Sequence, residues 1–444
     1  MRTLIAIFLS VAGLCGASLK AGVGRVDITP AGPIWMSGYA ARTHASDGAL
    51  MALWAKALAI ESGPGQRIVI VTTDVVGVPR VVVDQVAARV EKLNGLKRPQ
   101  FLINASHTHT GPVVWQNIPN LTVFPPAEQE KLLVYQRSFT DALVAAIGAA
   151  LRDLAPATVE YGEGSVDFAI NRRQGISGGV KIGVSPNGPV DHTAPVLKII
   201  GADGTLRAVL FGYACHNTTL TAEIYQLSGD YAGFAAAELE RRHPGATALF
   251  LMLCGADQNP NPRGTVELAR KYGDALAAEV DRVIAARLKP VAGPIRTAFR
   301  LTTLQLAPRT RQDFETELKS SLAAQVRRAQ MMLNALDSGN AIDRIEYPVQ
   351  AVRFGHDLTL IVLGGEVTVD YSLRFKREYT GEPILVAGYS NDVMCYIPSA
   401  RVLREGGYEA NDSMIYYGQS GPFSEDVEDR ILAAVHRVTK DVGR

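Results

Sequence analysis

Two histidines one residue apart, His107 and His109, follow directly on the apolar run at 100–104. In an extended segment, residues two apart point to the same side, so both imidazoles can serve one ligand. Imidazole is the commonest protein ligand for zinc, through a neutral ring nitrogen. The pattern alone is more often a surface or core polar feature than a metal site. What singles this pair out is the apolar strand before it and the Gly111-Pro112 turn after it. His216 closes a second apolar run, and Glu366 follows Leu363-Gly364-Gly365. Two histidines and one carboxylate are a ligand set that leaves a coordination position open for water. His44, His192, His243, His356 and His436 stand in no such setting and read as ordinary polar residues.

Positioning these groups needs rigid elements, and the sequence offers them. Short β-branched runs alternate with longer stretches of helical period, which predicts an α/β or mixed-sheet architecture. Residues 67–73 read as a buried strand, 81–93 as a helix, 100–104 as a strand and 127–151 as a long helix. Residues 195–200 and 206–213, joined by Gly201-Ala202-Asp203-Gly204, read as a β-hairpin. Residues 248–254 form an apolar strand, 265–286 a helix and 313–336 another long helix. Residues 347–354 and 358–363 pair across the turn Gly355-His356-Asp357, and 384–387 is one more strand. With no internal repeat and no low-complexity hinge, one compact domain is the simplest expectation. Five of the apolar strands run straight into polar segments: 107–109, 216–218, 257–259, Glu366 and 391–396. Strand ends are where ligands gather in sheet proteins, and buried charge is costly unless paired or metal-bound.

Composition excludes some functions. Hydrophobic residues make up 47% and charged residues 20% of the 444, which is globular rather than disordered. With 45 basic against 44 acidic residues, and no basic run or acidic tail, nothing suggests a nucleic-acid partner. Residues 1–17 read as a signal peptide: a short positive start, the apolar stretch 4–14, and small residues Cys15, Gly16 and Ala17 before cleavage. The apolar stretch is short for a membrane span, so export to the periplasm or medium is expected. An uncleaved anchor is the alternative; a lipoprotein reading of Cys15 fits poorly with Leu14 before it. Cleavage leaves Cys215, Cys254 and Cys395, an odd number, which read as small buried thiols with one disulfide as the alternative.

The residues also resemble a family. Residues 24–30 (GRVDITP), 36–40 (MSGYA) and 106–112 (SHTHTGP) look like the opening of neutral ceramidases, amidases that cleave N-acyl sphingosine. The likeness continues through Ile170-Asn171-Arg172, Cys215-His216-Asn217-Thr218, Gly365-Glu366, residues 391–397 and Gly407-Tyr408-Glu409. The resemblance implies a zinc hydrolase domain over residues 22–441 with two central mixed β-sheets flanked by helices, an αββα-like arrangement. It implies His107, His216, Glu366 and Tyr396 as zinc ligands. It places His109, Arg172 and Tyr408 around the reacting carbonyl and Gly38 as backbone near the substrate. Zinc in such a site brings the pKa of water to about 7 and polarises a carbonyl. Oxyanion donors would be Tyr408, His109 or Arg172, and His109 could pass a proton to the leaving amine. Without the resemblance, Tyr396 and Tyr408 read as core tyrosines, and Arg172 reads equally as a structural ion-pair residue. Asp74, Asp257 and Asp392 read as groups orienting histidines or as turn and cap residues, Asp392 more as the latter.

The sequence departs from the family pattern in two places. Where the family carries a serine in a Gly-Asp-Val-Ser-Pro-Asn-like stretch, this chain has Ala256-Asp257-Gln258-Asn259-Pro260-Asn261. An amide cannot act as a hydroxyl nucleophile, so Asn259 closes serine acylation yet can donate a hydrogen bond to an oxyanion. The family's C-terminal β-sandwich is also expected to be absent, because too little chain follows Tyr408. The expected function is hydrolysis of an N-acyl amide in a ceramide-like lipid, with transient contact at a membrane surface. The alternatives are a zinc hydrolase of a polar amide, ester or glycoside, and a catalytically silent exported binding protein.

Overall fold

A computed structural model describes residues 19–444; the signal-peptide expectation for 1–17 lies outside the described residues. Alternating side chains build two sheets into one sandwich. In the strand Gln66–Thr73, Ile68 and Ile70 face the space between the sheets, while Val69 and Val71 face the helices outside. Leu358, Leu360 and Val362 do the same from the opposite sheet, with Ile361 and Leu363 turned outward. The helices Arg80–Asn94 and Pro126–Arg152 cover one part of the larger sheet, and Asp230–Arg242 and Val266–Ala285 another. Val369–Glu378 and Val427–Asp441 cover the smaller sheet. The expected αββα order of layers is what the chain adopts. Among the described residues no helix is long and apolar enough to cross a membrane.

The larger sheet has 9 strands and the smaller 4. Three parallel pairs matter for function: Gln66–Thr73 with Phe101–Ala105, Leu206–Tyr213 with Thr247–Met252, and Leu358–Leu363 with Ile384–Ala387. Parallel strands share one carboxyl end, so the polar segments that follow them emerge on one side. Phe101–Ala105 and Thr247–Met252 are opposite edges of the larger sheet, yet twist brings them together. Asn104 joins them through Met252, and its carboxamide also donates to Gly388 O of the smaller sheet at 2.9 Å.

The hairpin Thr193–Gly201/Leu206–Tyr213 and the pairing of Arg344–Phe354 with Leu358–Leu363 are as expected. The long helix expected over 313–336 is instead two, Arg311–Glu317 and Ala323–Asp337. Ser320 breaks it: its Oγ accepts from Leu322 N at 3.1 Å and bonds Gln325 at 2.7 Å, offering the backbone a non-helical partner. The apolar period survives the break because Phe314, Ala329, Met332 and Leu333 still pack together. Cys215, Cys254 and Cys395 are free and buried.

Candidate metal centre

His107 sits just past Phe101–Ala105 with φ 61, in the left-handed region, so the segment is not extended as the His-x-His spacing suggested. Both imidazoles still converge, with Nε2 of His107 and His109 3.1 Å apart. The turn is held from the neighbouring strand exit. Asn217 O accepts from His109 N at 3.2 Å, and Asn217 Nδ2 donates to Ser106 O. His216 is thereby brought beside them, its ring centroid 4.6 Å from that of His107. Glu366 and Tyr396 lie beyond the ends of smaller-sheet strands, paired with each other in a separate two-residue parallel ladder. Gly365 makes this possible: at φ 69, a Cβ there would lie 2.6 Å from Ile397 and 2.8 Å from Cys395 O.

One carboxylate oxygen is the meeting point. Glu366 Oε2 lies 3.0 Å from His107 Nε2 and 3.1 Å from His216 Nε2, and His216 Nε2 is 3.3 Å from the Tyr396 hydroxyl. His107 Nδ1 bonds Val76 O at 2.6 Å and His216 Nδ1 bonds Gly255 O at 2.8 Å. A carbonyl only accepts, so each Nδ1 carries a proton, which in a neutral ring leaves Nε2 with the lone pair that faces the centre. Burial, then Arg172, pushes the His216 imidazole down to about 3, so it is neutral. Lone pairs of two imidazoles and a carboxylate thus face each other, and buried Oε2 has no hydrogen-bond donor. That arrangement is unfavourable unless a cation lies between them. Donors about 2 Å from a tetrahedral zinc are roughly 3.3 Å apart, close to the spacings here. His107, His109 and His216 together also place one ligand nitrogen each within 4.8 Å of one another, and can hold a metal ion.

His109 differs from its neighbours in one respect: its buried Nδ1 has no hydrogen-bond partner. Burial, then His107 and His216, pushes its pKa well below the usual value. Gly38 lies against this ring, where at φ 93 a Cβ would come within 2.4 Å of Nδ1. Tyr39 covers the ring with centroids 4.8 Å apart, and Arg42 donates to His109 O and Ser37 O at 2.6 Å.

Arg172 is buried at the hub of a polar network. It donates to Glu409 at 2.7 Å, to the Tyr396 hydroxyl at 2.9 Å and to Asn259 Oδ1 at 3.2 Å. It is therefore an ion-pair residue that also touches a candidate ligand, and the two sequence readings of it coexist. Burial raises the Tyr396 phenol well above its usual value, while Arg172 acts in the opposite direction. Tyr408 is half-buried, its ring 5.4 Å from that of Tyr396. Asn259 Oδ1 also lies 3.4 Å from Thr218 Oγ1. Among the described residues none of the three aspartate side chains hydrogen-bonds a histidine. Asp257 accepts from Val369 N and Asn171 Nδ2, Asp74 from Trp54 N, and Asp392 from Arg80 N, the first residue of a helix.

Several site residues escaped the sequence reading. Tyr417 donates to Glu366 Oε1, and the Tyr389 ring lies 4.5 Å from that of His107. Both are isolated tyrosines that no spacing rule marks. Glu409 and Asn217 did carry a signal, since each adjoins a residue already singled out.

Comparisons with known proteins show the family and the fold. Residues 19–266, more than half the chain, match the family described as "Neutral/alkaline non-lysosomal ceramidase, N-terminal". The neutral ceramidase of Pseudomonas aeruginosa is 28% identical over 251 residues, 54% of this chain and 37% of that protein. That of Mycobacterium tuberculosis is 28% identical over 276 residues, 55% of this chain and 41% of that protein. The alignments thus take in less than half the length of these relatives. In fold, the crystal structure of the Pseudomonas aeruginosa enzyme superposes with a TM-score of 0.72 at 21% identity, covering 95% of this chain and 75% of that one. A structure titled "Ceramidase complexed with C2" gives the same TM-score of 0.72 at 19% identity, with coverage of 96% and 75%. This chain belongs to the neutral/alkaline non-lysosomal ceramidase family.

Proposed function

We propose that this chain is an exported zinc-dependent amidase that hydrolyses the N-acyl bond of a ceramide-like lipid. The observation that carries the reading is the unshielded meeting of His107, His216 and Glu366 donor atoms at 3.0 and 3.1 Å, with Tyr396 beside them. Zinc bound there supplies Lewis acidity and a water with pKa near 7. The residues around it do the rest. His107 and His216 have their tautomers fixed by backbone carbonyls and suit ligation. His109, with Nδ1 uncommitted, suits proton transfer to the leaving amine. Arg172, Tyr408 and the Asn259 amide supply hydrogen-bond donors for the charge that develops on the carbonyl oxygen. Gly38 leaves room for the His109 ring.

A lipid is favoured by a cavity whose lining includes Ser37, the residue that precedes Gly38 in the chain. Ser37 and Met36 open a space of about 400 Å³ whose walls include Val113, Trp115, Leu121 and Phe124. A second cavity, about 520 Å³, reaches Tyr408 and is polar, with Arg309, Glu317 and Arg328 in its wall. That cavity favours the alternative of a polar amide, or a polar end on the same lipid. Metal analysis of purified protein, then hydrolysis of a fluorescent N-acyl sphingosine beside short polar amides, tests the proposal. Stoichiometric zinc that disappears in His107→Ala, His216→Ala and Glu366→Ala, with turnover of the lipid, is the expected result. Zinc retained in those variants, or no hydrolysis of any acyl amide by metal-loaded protein, rejects it.

A further inference from the structure

Each group facing the centre is held from behind. Backbone carbonyls hold His107 and His216, and Arg172 holds the Tyr396 hydroxyl. Glu366 needs such a partner most, because a free carboxylate can rotate and present either one oxygen or both. Its partner is the buried Tyr417, whose hydroxyl donates to Oε1 while Oε2 faces His107 and His216.

Tyr417 is itself on a rigid mount. It follows the short helix Asp412–Ile415, and its ring lies 6.3 Å from that of Tyr396. Asn120 ties that turn to the rest of the molecule. Its N donates to Tyr416 O at 3.0 Å, and its Nδ2 donates to Ile415 O and Ala324 O at 2.7 Å. We infer that Tyr417 is a positioning residue: by occupying Oε1 it restricts Glu366 to binding a divalent cation through Oε2 alone. This keeps the coordination number low and one position available to water. The inference rests on the metal site proposed above and goes beyond its ligand set.

Tyr417→Phe removes the donor and keeps the ring. Zinc affinity, read by competition with a chromophoric chelator on full-length protein, should fall about 10- to 100-fold, as for other groups that orient metal ligands. With cobalt(II) in place of zinc, the visible bands should weaken as the released carboxylate adds a second oxygen. In a Glu366→Gln background the same change should cost less than about twofold, because the partner it acts on is already altered. Zinc affinity within about twofold of the parent, with an unchanged cobalt spectrum, overturns the inference. Should Tyr417→Phe fail to fold, X-ray absorption on the zinc-loaded parent decides: two Glu366 oxygens at bonding distance overturn it. A parent that binds no zinc or cobalt rejects the metal site itself, and the role of Tyr417 with it.

Discussion

The carboxamide of Asn104 bonds both backbone groups of Met252, Nδ2 donating to its carbonyl at 3.1 Å and Oδ1 accepting from its N–H at 2.8 Å. Those residues stand on opposite edges of the larger sheet. The side chain therefore replaces a missing rung of ladder, and the exits carrying His107 and the 257–259 segment are neighbours as a result. Asn104→Ala leaves both Met252 groups buried and unsatisfied, at a cost of about 3 kcal/mol by denaturant unfolding. Asn104→Asp keeps the shape but cannot donate, and adds a buried charge, so it should cost more. An alanine variant within about 0.5 kcal/mol of the parent would show that the rung is dispensable.

The sequence makes the local part of this legible and hides the rest. Strand 384–387 and the helix at 127–151 follow from runs and periods that involve only near neighbours. Strand exits were identifiable because each apolar run ends in polar residues. How two sheet edges meet through Asn104 is a matter of twist and register, which residues read one at a time do not carry. The same holds for the φ of 61 at His107: the spacing of His107 and His109 suggested a shared ligand for the wrong geometric reason. Tyr417 has no local signal, because its partner Glu366 is 51 residues away.

His109→Ala should separate chemistry from metal binding. With His107, His216 and Glu366 untouched, zinc content after dialysis should match the parent. The rate constant for amide hydrolysis should fall about 10²- to 10⁴-fold, the usual span for a lost proton donor. Loss of zinc in parallel with activity would instead make His109 a ligand, the arrangement in which three imidazoles share the ion.

Asn259→Ser tests whether a hydroxyl at this position matters. Serine is too short to keep the 3.2 Å contact with Arg172, and in a zinc–water route it has no bond to make with the carbonyl carbon. The expected outcome is a fall in kcat of about 10²- to 10³-fold, the cost of one lost oxyanion donor, with no burst of acylated protein. A burst, or a gain in kcat, would mean that the scaffold still supports acyl transfer to a side chain.

Asp392 gives the fold a pH dependence of its own. Burial, only partly offset by the Arg80 amide, pushes its carboxyl up to about 7. An unfolded aspartate titrates near 3.9, so the folded chain holds the extra proton between those values. Stability therefore declines as pH rises through that window, and the loss is complete above about 7. A carboxamide in place of this carboxyl would still accept from Arg80 N but would not ionise. Asp392→Asn should match the parent near pH 4 and exceed it by about 4 kcal/mol at pH 8 in urea unfolding. Parallel pH profiles for the two proteins would rule this out.

Gly38 is the position where the smallest change should do the most damage to catalysis. Its φ of 93 is a backbone conformation that side chains disfavour, and the added methyl of Gly38→Ala would lie 2.4 Å from His109 Nδ1 and 2.5 Å from its Cγ. The imidazole cannot retreat freely, because Tyr39 covers it and its own carbonyl is bonded by Arg42. The ring must shift relative to His107 and the reacting carbonyl, and misplacement on the ångström scale costs about 10²-fold in rate. Zinc content and cooperative unfolding should persist, since the three atoms nearest the added methyl all belong to His109, which is not a proposed zinc ligand. Gly38→Ala protein that keeps both zinc and full kcat would separate Gly38 from the placement of His109.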